Sequence, residues 1–337
     1  MDTIYLMVLH IMVLDKFMVP FIDFIRARFN VDDHKFVFVT SEKYLFGLTP
    51  THEAEFLHTD NDIQLLESYI YQSKKVILHG LWRDKVDALL VKNKEILGKC
   101  YWVLWGGDFY FPAKHSEARK AVIQGVGFLV TANTGDVEYV RQNYNASGQH
   151  VNCISYLSNV FYDVEIEGNS TQFINVQVGN SAAINNNHKQ VFESLAQLNN
   201  NKIKVFCPLS YGSRTNAEEV SRIGKKIFGS RFVPLMDFWD FNEYQKFLAT
   251  MDYAIFDAKR QQGFSNSLYL VGMGKKVFIN ECSNIHQYFS GFGIQVYNSA
   301  HIDISPLDND VKCQNMKLVR KYFGEQRLLE SLSEWIN

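Results

Sequence analysis

The segment Phe256-Asp257-Ala258-Lys259-Arg260-Gln261-Gln262-Gly263-Phe264-Ser265-Asn266-Ser267 leaves an apolar strand-like stretch, passes cations, amides and a glycine, and enters an apolar helix pattern. A strand feeding a helix through such a turn aims free backbone N–H groups and the positive end of a helix dipole at one spot. That chemistry suits an anion, above all a nucleotide diphosphate. Arg260 would supply a guanidinium fork, and Gln261, Gln262, Gly263, Phe264, Ser265 and Asn266 the surrounding amide and hydroxyl donors. The same residues also read as a helix start capped by Ser265 or Asn266, with Arg260 solvated.

Two further turns follow strand-like runs in the same half of the chain. Gly179-Asn180-Ser181 comes after Val178, and its glycine lets backbone approach a phosphate or sugar; Asn187, ahead of the next helix pattern, reads equally as an N-cap. In Pro208-Leu209-Ser210-Tyr211-Gly212, the Tyr211 ring could lie beside a base or ribose. No G-x-x-x-x-G-K-[ST] and no G-x-G-x-x-G after a strand is present, which argues against a nucleoside triphosphatase and a dinucleotide dehydrogenase.

The first half places His79-Gly80-Leu81-Trp82 and Trp105-Gly106-Gly107-Asp108-Phe109-Tyr110 after strand-like runs. If the chemistry is group transfer to a hydroxyl, that hydroxyl needs a base. Asp108, in a glycine-flanked turn, is the first candidate and His79 the second. Asp108 also reads as a turn cap and His79 as a core histidine. Trp105, Gly107, Tyr110, Lys114 and Arg119 form the expected acceptor side. The aromatics and cations from Phe109 to Lys120 would receive an amphiphile's diphosphate and rest against anionic lipid, unless they are core rings beside a solvated helix face.

The elements that must position these residues alternate. Strand-like runs (Ile4 to His10, Phe36 to Thr40, Lys75 to His79, Cys100 to Leu104, Gly127 to Thr131) are separated by helical patterns, which predicts βαβ units and a parallel sheet. The alternation restarts at Phe173. Two doubly wound, Rossmann-like α/β lobes with a cleft between them are therefore expected, with boundaries at 1–168, 169–316 and a closing helix within 317–337 packing back on the first lobe. Gly168-Asn169-Ser170-Thr171 is the most linker-like composition.

Composition sets outer bounds. The chain has 337 residues, 47% apolar and 21% charged, which fits two globular domains and excludes disorder. A net charge of −2 argues against nucleic-acid binding by broad phosphate neutralisation. Five scattered cysteines without C-x-x-C spacing indicate reduced thiols and a cytoplasmic setting, and no His/Cys cluster stands at metal-ligand spacing. The apolar stretch from Ile4 to Leu14 lacks a basic flank and a cleavage site, so it reads as a buried strand; any membrane contact would be peripheral.

Trp105-Gly106-Gly107-Asp108-Phe109-Tyr110, Val178-Gly179-Asn180-Ser181, Arg260-Gln261-Gln262-Gly263 and the His79-Gly80 pair resemble, in order, motifs of the bacterial 4-acetamido-4,6-dideoxy-galactose transferases of enterobacterial common antigen synthesis. The resemblance implies a GT-B glycosyltransferase that needs no cofactor or metal. Its second lobe would hold a dTDP-sugar, and its first would approach an undecaprenyl-diphosphate-linked oligosaccharide at the cytoplasmic face of the inner membrane. Phe264-Ser265-Asn266 departs from the family's apolar-Gly-Thr. The donor therefore stays open between a 4-amino- and a 4-acetamido-4,6-dideoxyhexose, and the product between common antigen and O-antigen. A nucleotide-sugar epimerase and a non-catalytic nucleotide-sugar-binding subunit are the alternatives.

Overall fold

The protein is described by a computed structural model over residues 7–40, 45–164, 172–260 and 262–336. Gln261, residues 4–6 of the expected first strand, and the linker-like residues 168–171 lie outside that description. Two compact units result. One comprises Met1–Ser158 with Glu325–Asn337, the other Asn159–Gly324.

The first unit is built on seven parallel strands: β1 (Val8–Met12), β2 (His34–Val39), β3 (Glu55–Leu57), β4 (Lys75–His79), β5 (Cys100–Val103), β6 (Phe128–Val130) and β7 (Gln149–Val151). Their order is β3-β2-β1-β4-β5-β6-β7. Strands buried on both faces carry apolar residues on both faces, as the fully buried Val-Leu-His-Ile-Met of β1 does. One face packs Leu9, Ile11, Val37, Val76, Leu78 and Trp102 into the main core. Alternation sends His10 to the other face, beside Phe21 of the helix Met18–Arg28.

The second unit repeats the plan with β8 (Ile174–Val178), β9 (Ile203–Pro208), β10 (Phe232–Leu235), β11 (Tyr253–Phe256), β12 (Lys276–Ile279) and β13 (Tyr297–Asn298), ordered β10-β9-β8-β11-β12-β13. The order reverses between β1 and β4 in the first unit and between β8 and β11 in the second. Loops leaving the carboxyl ends of strands diverge at such points and open the crevices where α/β sheets bind ligands.

Two boundaries differ from the sequence reading. The chain joins the second unit at Asn159, well before residue 168. The reason is packing: Tyr269 donates to the Val160 carbonyl at 2.9 Å, and Phe161 fills the space over Gly272, where a Cβ would lie 2.4 Å from its ring. The closing helix is two helices, Asn309–Phe323 and Glu325–Ser333, broken at Gly324, whose backbone is extended. Only the second belongs to the first unit; it buries Leu328 and Leu332 there, and Trp335 beyond it stacks on Tyr101. No helix of the described residues is long and apolar enough to cross a membrane.

Candidate functional site

In the second unit the three turns singled out by sequence follow β8, β9 and β11, and two of them flank the order reversal. Side chains join them. Gln262 Nε2 donates to Asn180 Oδ1 at 3.0 Å and to Ser181 Oγ at 3.1 Å, while Asn180 Nδ2 donates to Tyr211 Oη at 2.7 Å. The Ala182 N–H also donates to the Tyr211 carbonyl. A single rim thus surrounds the amino end of the helix Phe264–Gly272, which carries no side-chain cap.

Glycines give the rim its closeness. Gly263 caps that helix with φ +77°, and a Cβ there would stand 3.2 Å from the Asn180 side chain. Gly179, at φ +68°, lies so close to the buried His188 that a Cβ would be 2.7 Å from its Nε2. Burial lowers the His188 pKa to about 4, so the imidazole is neutral at physiological pH. Arg260 is half-buried and, among the described residues, makes no hydrogen bond or ion pair. Ser265 stands half-buried in the first helical turn, and Tyr211 is 50% exposed. A half-buried turn that combines the amides of a helix start with a guanidinium has the chemistry to hold an anion.

Two residues of the expected donor turn have their side chains committed elsewhere. Phe264 packs its ring among Tyr288, Phe289 and Phe323, because the helix turn directs it inward. Asn266 Oδ1 accepts from Tyr244 at 2.5 Å and from Gln177 at 3.1 Å, so its side chain braces the sheet. Asn187 is not a side-chain cap; its Nδ2 donates to Asp257, which Asn280 and Ser299 also hold.

In the first unit Asp108 lies where a free base would not. It is fully buried, with Oδ2 accepting from the Leu81 N–H at 3.0 Å and Trp102 Nε1 at 2.8 Å, and Oδ1 from the Trp105 N–H at 3.1 Å. Burial raises its pKa to about 6 against the pull of those donors. It ties the loop after β4 to the loop after β5. His79 is also buried, bonded to His10 and Tyr156, and burial lowers its pKa to about 3.

The expected acceptor side divides. Tyr110 is a core residue that donates to Asp136 at 2.6 Å, and Arg119 is held by Asp87 at 2.9 Å and Asp84 at 3.1 Å. Asp84 and Asp87 stand three apart on one helix face, which explains the capture of Arg119. Phe109 is fully buried, so only Phe111, 52% exposed, and Lys114 keep an outward apolar-cationic pair. Trp105 stays half-exposed. Gly107 makes room for Trp82, whose ring would be 2.7 Å from a Cβ there.

The residue that sequence reading missed is Asp15, in the loop between β1 and the helix Met18–Arg28. It is half-buried at the order reversal, and its Oδ1 accepts from the Phe17 N–H at 3.3 Å. Burial raises its pKa, opposed by that bond and by Lys16. Its signal was position alone: the first carboxylate after the first strand, meaningful once the strand order is known.

A family model described as 4-alpha-L-fucosyltransferase, glycosyl transferase group 56, matches residues 17–314. Among solved structures, a glycosyltransferase from Rickettsia africae is similar at a TM-score of 0.69 and 9% identity, covering 97% of each chain. Sucrose-phosphate synthase from Thermosynechococcus elongatus matches at 0.67 and 9%, covering 98% of both chains. Anabaena HepE, solved with UDP and glucose, matches at 0.64 and 9%, covering 98% of this chain and 99% of its own. At such identities the likeness shows the fold, two Rossmann-like domains of the GT-B class.

Proposed function

The chain belongs to the 4-alpha-L-fucosyltransferase family of glycosyl transferase group 56, and from that premise we propose that it moves a 4-amino- or 4-acetamido-4,6-dideoxyhexose from dTDP to a hydroxyl of an undecaprenyl-diphosphate-linked oligosaccharide. Such a sugar has the 6-deoxyhexose skeleton of fucose with nitrogen at C4, so donor and family agree in ring type. The setting is bacterial surface-polysaccharide synthesis, common antigen or O-antigen, on the cytoplasmic face of the inner membrane. Phe111 and Lys114 are the residues suited to touch anionic lipid.

The observation that carries the donor half is the Gln262 bridge to Asn180 and Ser181, which with the Asn180–Tyr211 bond gathers three strand-end loops around a helix terminus without a side-chain cap, beside Arg260, which has no hydrogen-bond or ion-pair partner among the described residues. In this reading the amides at Gly263 to Ser265 and the Arg260 guanidinium hold the diphosphate and take up charge as it leaves, without a metal. Tyr211 lies beside the nucleoside. In the first unit Asp15 accepts the acceptor hydroxyl's proton. The oxygen then bonds to the anomeric carbon as the carbon–oxygen bond to dTDP breaks, its electron pair leaving with the nucleotide.

A thermal-shift series with dTDP, UDP and GDP tests the donor. A ligand bound only by the native state raises the melting temperature, and dTDP should do so selectively. No response to dTDP would remove the proposal. Replacing Arg260 by Ala should weaken dTDP binding about 10- to 100-fold, the worth of one charge-assisted hydrogen-bonding group. Titration calorimetry giving an unchanged Kd would take Arg260 out of the diphosphate site.

A further inference from the structure

Trp105 is the outer end of a line of hydrogen bonds that crosses the first unit's sheet. Its Nε1 lies 2.9 Å from Tyr156 Oη, which lies 2.7 Å from His79 Nδ1; His79 Nε2 is 3.1 Å from His10 Nδ1, and His10 Nε2 is 2.9 Å from His34 Nδ1. The line runs from the carboxyl end of β4 through β1 to the start of β2, with Phe21 packed edge-on against His79 and His10. Trp105 is half-exposed and the other four residues are buried.

The chemistry of the end group fixes the direction of every bond. An indole N–H only donates, so Tyr156 Oη accepts from Trp105. The phenol proton must then go to the acceptor within reach, His79 Nδ1. That makes His79 the Nε2–H tautomer, which donates to His10 Nδ1. His10 in turn is Nε2–H and donates to His34 Nδ1, leaving His34 also Nε2–H. One donor-only group sets three tautomers.

Burial decides what such a line can do. It lowers the His79 pKa to about 3, that of His34 to about 4, and that of His10 far below its usual range. Around His34, Asp33 opposes the lowering while Lys74 and Lys75 reinforce it; burial raises the Tyr156 pKa against the Trp105 bond, and Asp108 and Asp15 add to the rise. An imidazolium inside the line is therefore disfavoured, and the line holds position better than it passes protons.

What it holds is an aromatic corner. Trp105 meets Trp82 edge-on at 5.8 Å and Phe17 edge-on at 5.9 Å, and Trp82 is 37% exposed. Two glycines keep room for Trp82: a Cβ on Gly80 would sit 2.1 Å from its Nε1, and one on Gly107 would sit 2.7 Å from the ring. Flat apolar faces near a carboxylate suit a pyranose, which offers C–H groups on its face and hydroxyls on its edge. A rotated indole would lose that fit.

We propose that Trp105, with Trp82, is the platform for a pyranose ring of the acceptor, and that Tyr156, His79, His10 and His34 are positioning residues that fix the indole through a one-way hydrogen-bonded tether. The inference rests on the acceptor reading given above and adds the acceptor's ring contact and the residues that set it.

Two measurements test it. Long-range proton–nitrogen NMR of histidine-labelled wild-type protein should show His10, His34 and His79 all as Nε2–H tautomers; an Nδ1–H form at any of them overturns the tether. His10→Leu cuts the line in its middle and should raise the acceptor KM about 5- to 13-fold, with kcat and dTDP affinity within about twofold, since a lost hydrogen bond is worth about 1–1.5 kcal/mol. His10→Gln, which can still accept and donate, should restore most of the loss. An unchanged acceptor KM in His10→Leu overturns the platform's dependence on the line. If no lipid-linked acceptor is used at all, the functional reading fails separately. The tether is then judged on the tautomers and on the Trp105 indole N–H resonance, which should move in His10→Leu; a resonance that stays put overturns it.

Discussion

Asp15→Asn should lower kcat by about 100- to 10,000-fold, the usual worth of a positioned general base, and leave dTDP binding to the second unit intact. The expectation follows from place and environment together. Asp15 leaves β1 at the point where the strand order reverses, and it is half-buried, so the carboxylate is partly desolvated without being sealed. Burial raises its pKa, outweighing the Phe17 N–H, the Lys16 charge and the Lys16 backbone N–H, which act against the rise. A base so tuned is present above its pKa and lost as pH falls through it. The acid limb of the kcat profile should therefore lie above that of an ordinary carboxylate and vanish in Asp15→Asn. A kcat within about threefold of wild type, with the limb retained, would rule Asp15 out.

Where the sequence spoke clearly, the reason was repetition of a physical constraint. Central strands such as Val8–Met12 and Tyr253–Phe256 are buried on both faces and read as apolar runs, so the doubled α/β plan was legible. Short edge strands were not. Glu55–Leu57, Gln149–Val151 and Tyr297–Asn298 have two or three residues each, too few to show any period. The turn around Gly263 was legible because glycine, amide and cation types coincide there.

On the first unit several candidate side chains are occupied for one reason repeated. Asp108, Tyr110 and Arg119 have residue types that do chemistry, yet each found a partner within the fold that pattern cannot show: three N–H donors, Asp136, and the Asp84 and Asp87 pair. Asp15 escaped notice for the converse reason. No motif surrounds it, and only the order of strands gives it meaning. His10 and His34 were likewise invisible, because their link to His79 is made across three strands and has no spacing in sequence.

Asp108→Ala should destabilise the first unit by about 3 kcal/mol or more, because it orphans the Leu81 and Trp105 N–H groups and the Trp102 indole, each at about 1–3 kcal/mol. Four of the five tryptophans, Trp82, Trp102, Trp105 and Trp335, lie in that unit, so urea unfolding followed by intrinsic fluorescence reports mainly on it. The pH dependence has a definite sign. The folded Asp108 pKa is about 6, above the ordinary 3.8, so between those values the native state holds the extra proton and wild-type stability from this group falls as pH rises. The variant lacks that contribution, and its deficit should be widest near pH 4 and narrowest above pH 6. The buried histidines, which pull the other way, are common to both proteins and cancel in the difference. A deficit that is flat with pH, or below about 1 kcal/mol, would mean that Asp108 does not tie the two loops; if turnover nevertheless collapsed, Asp108 would return as the base in place of Asp15.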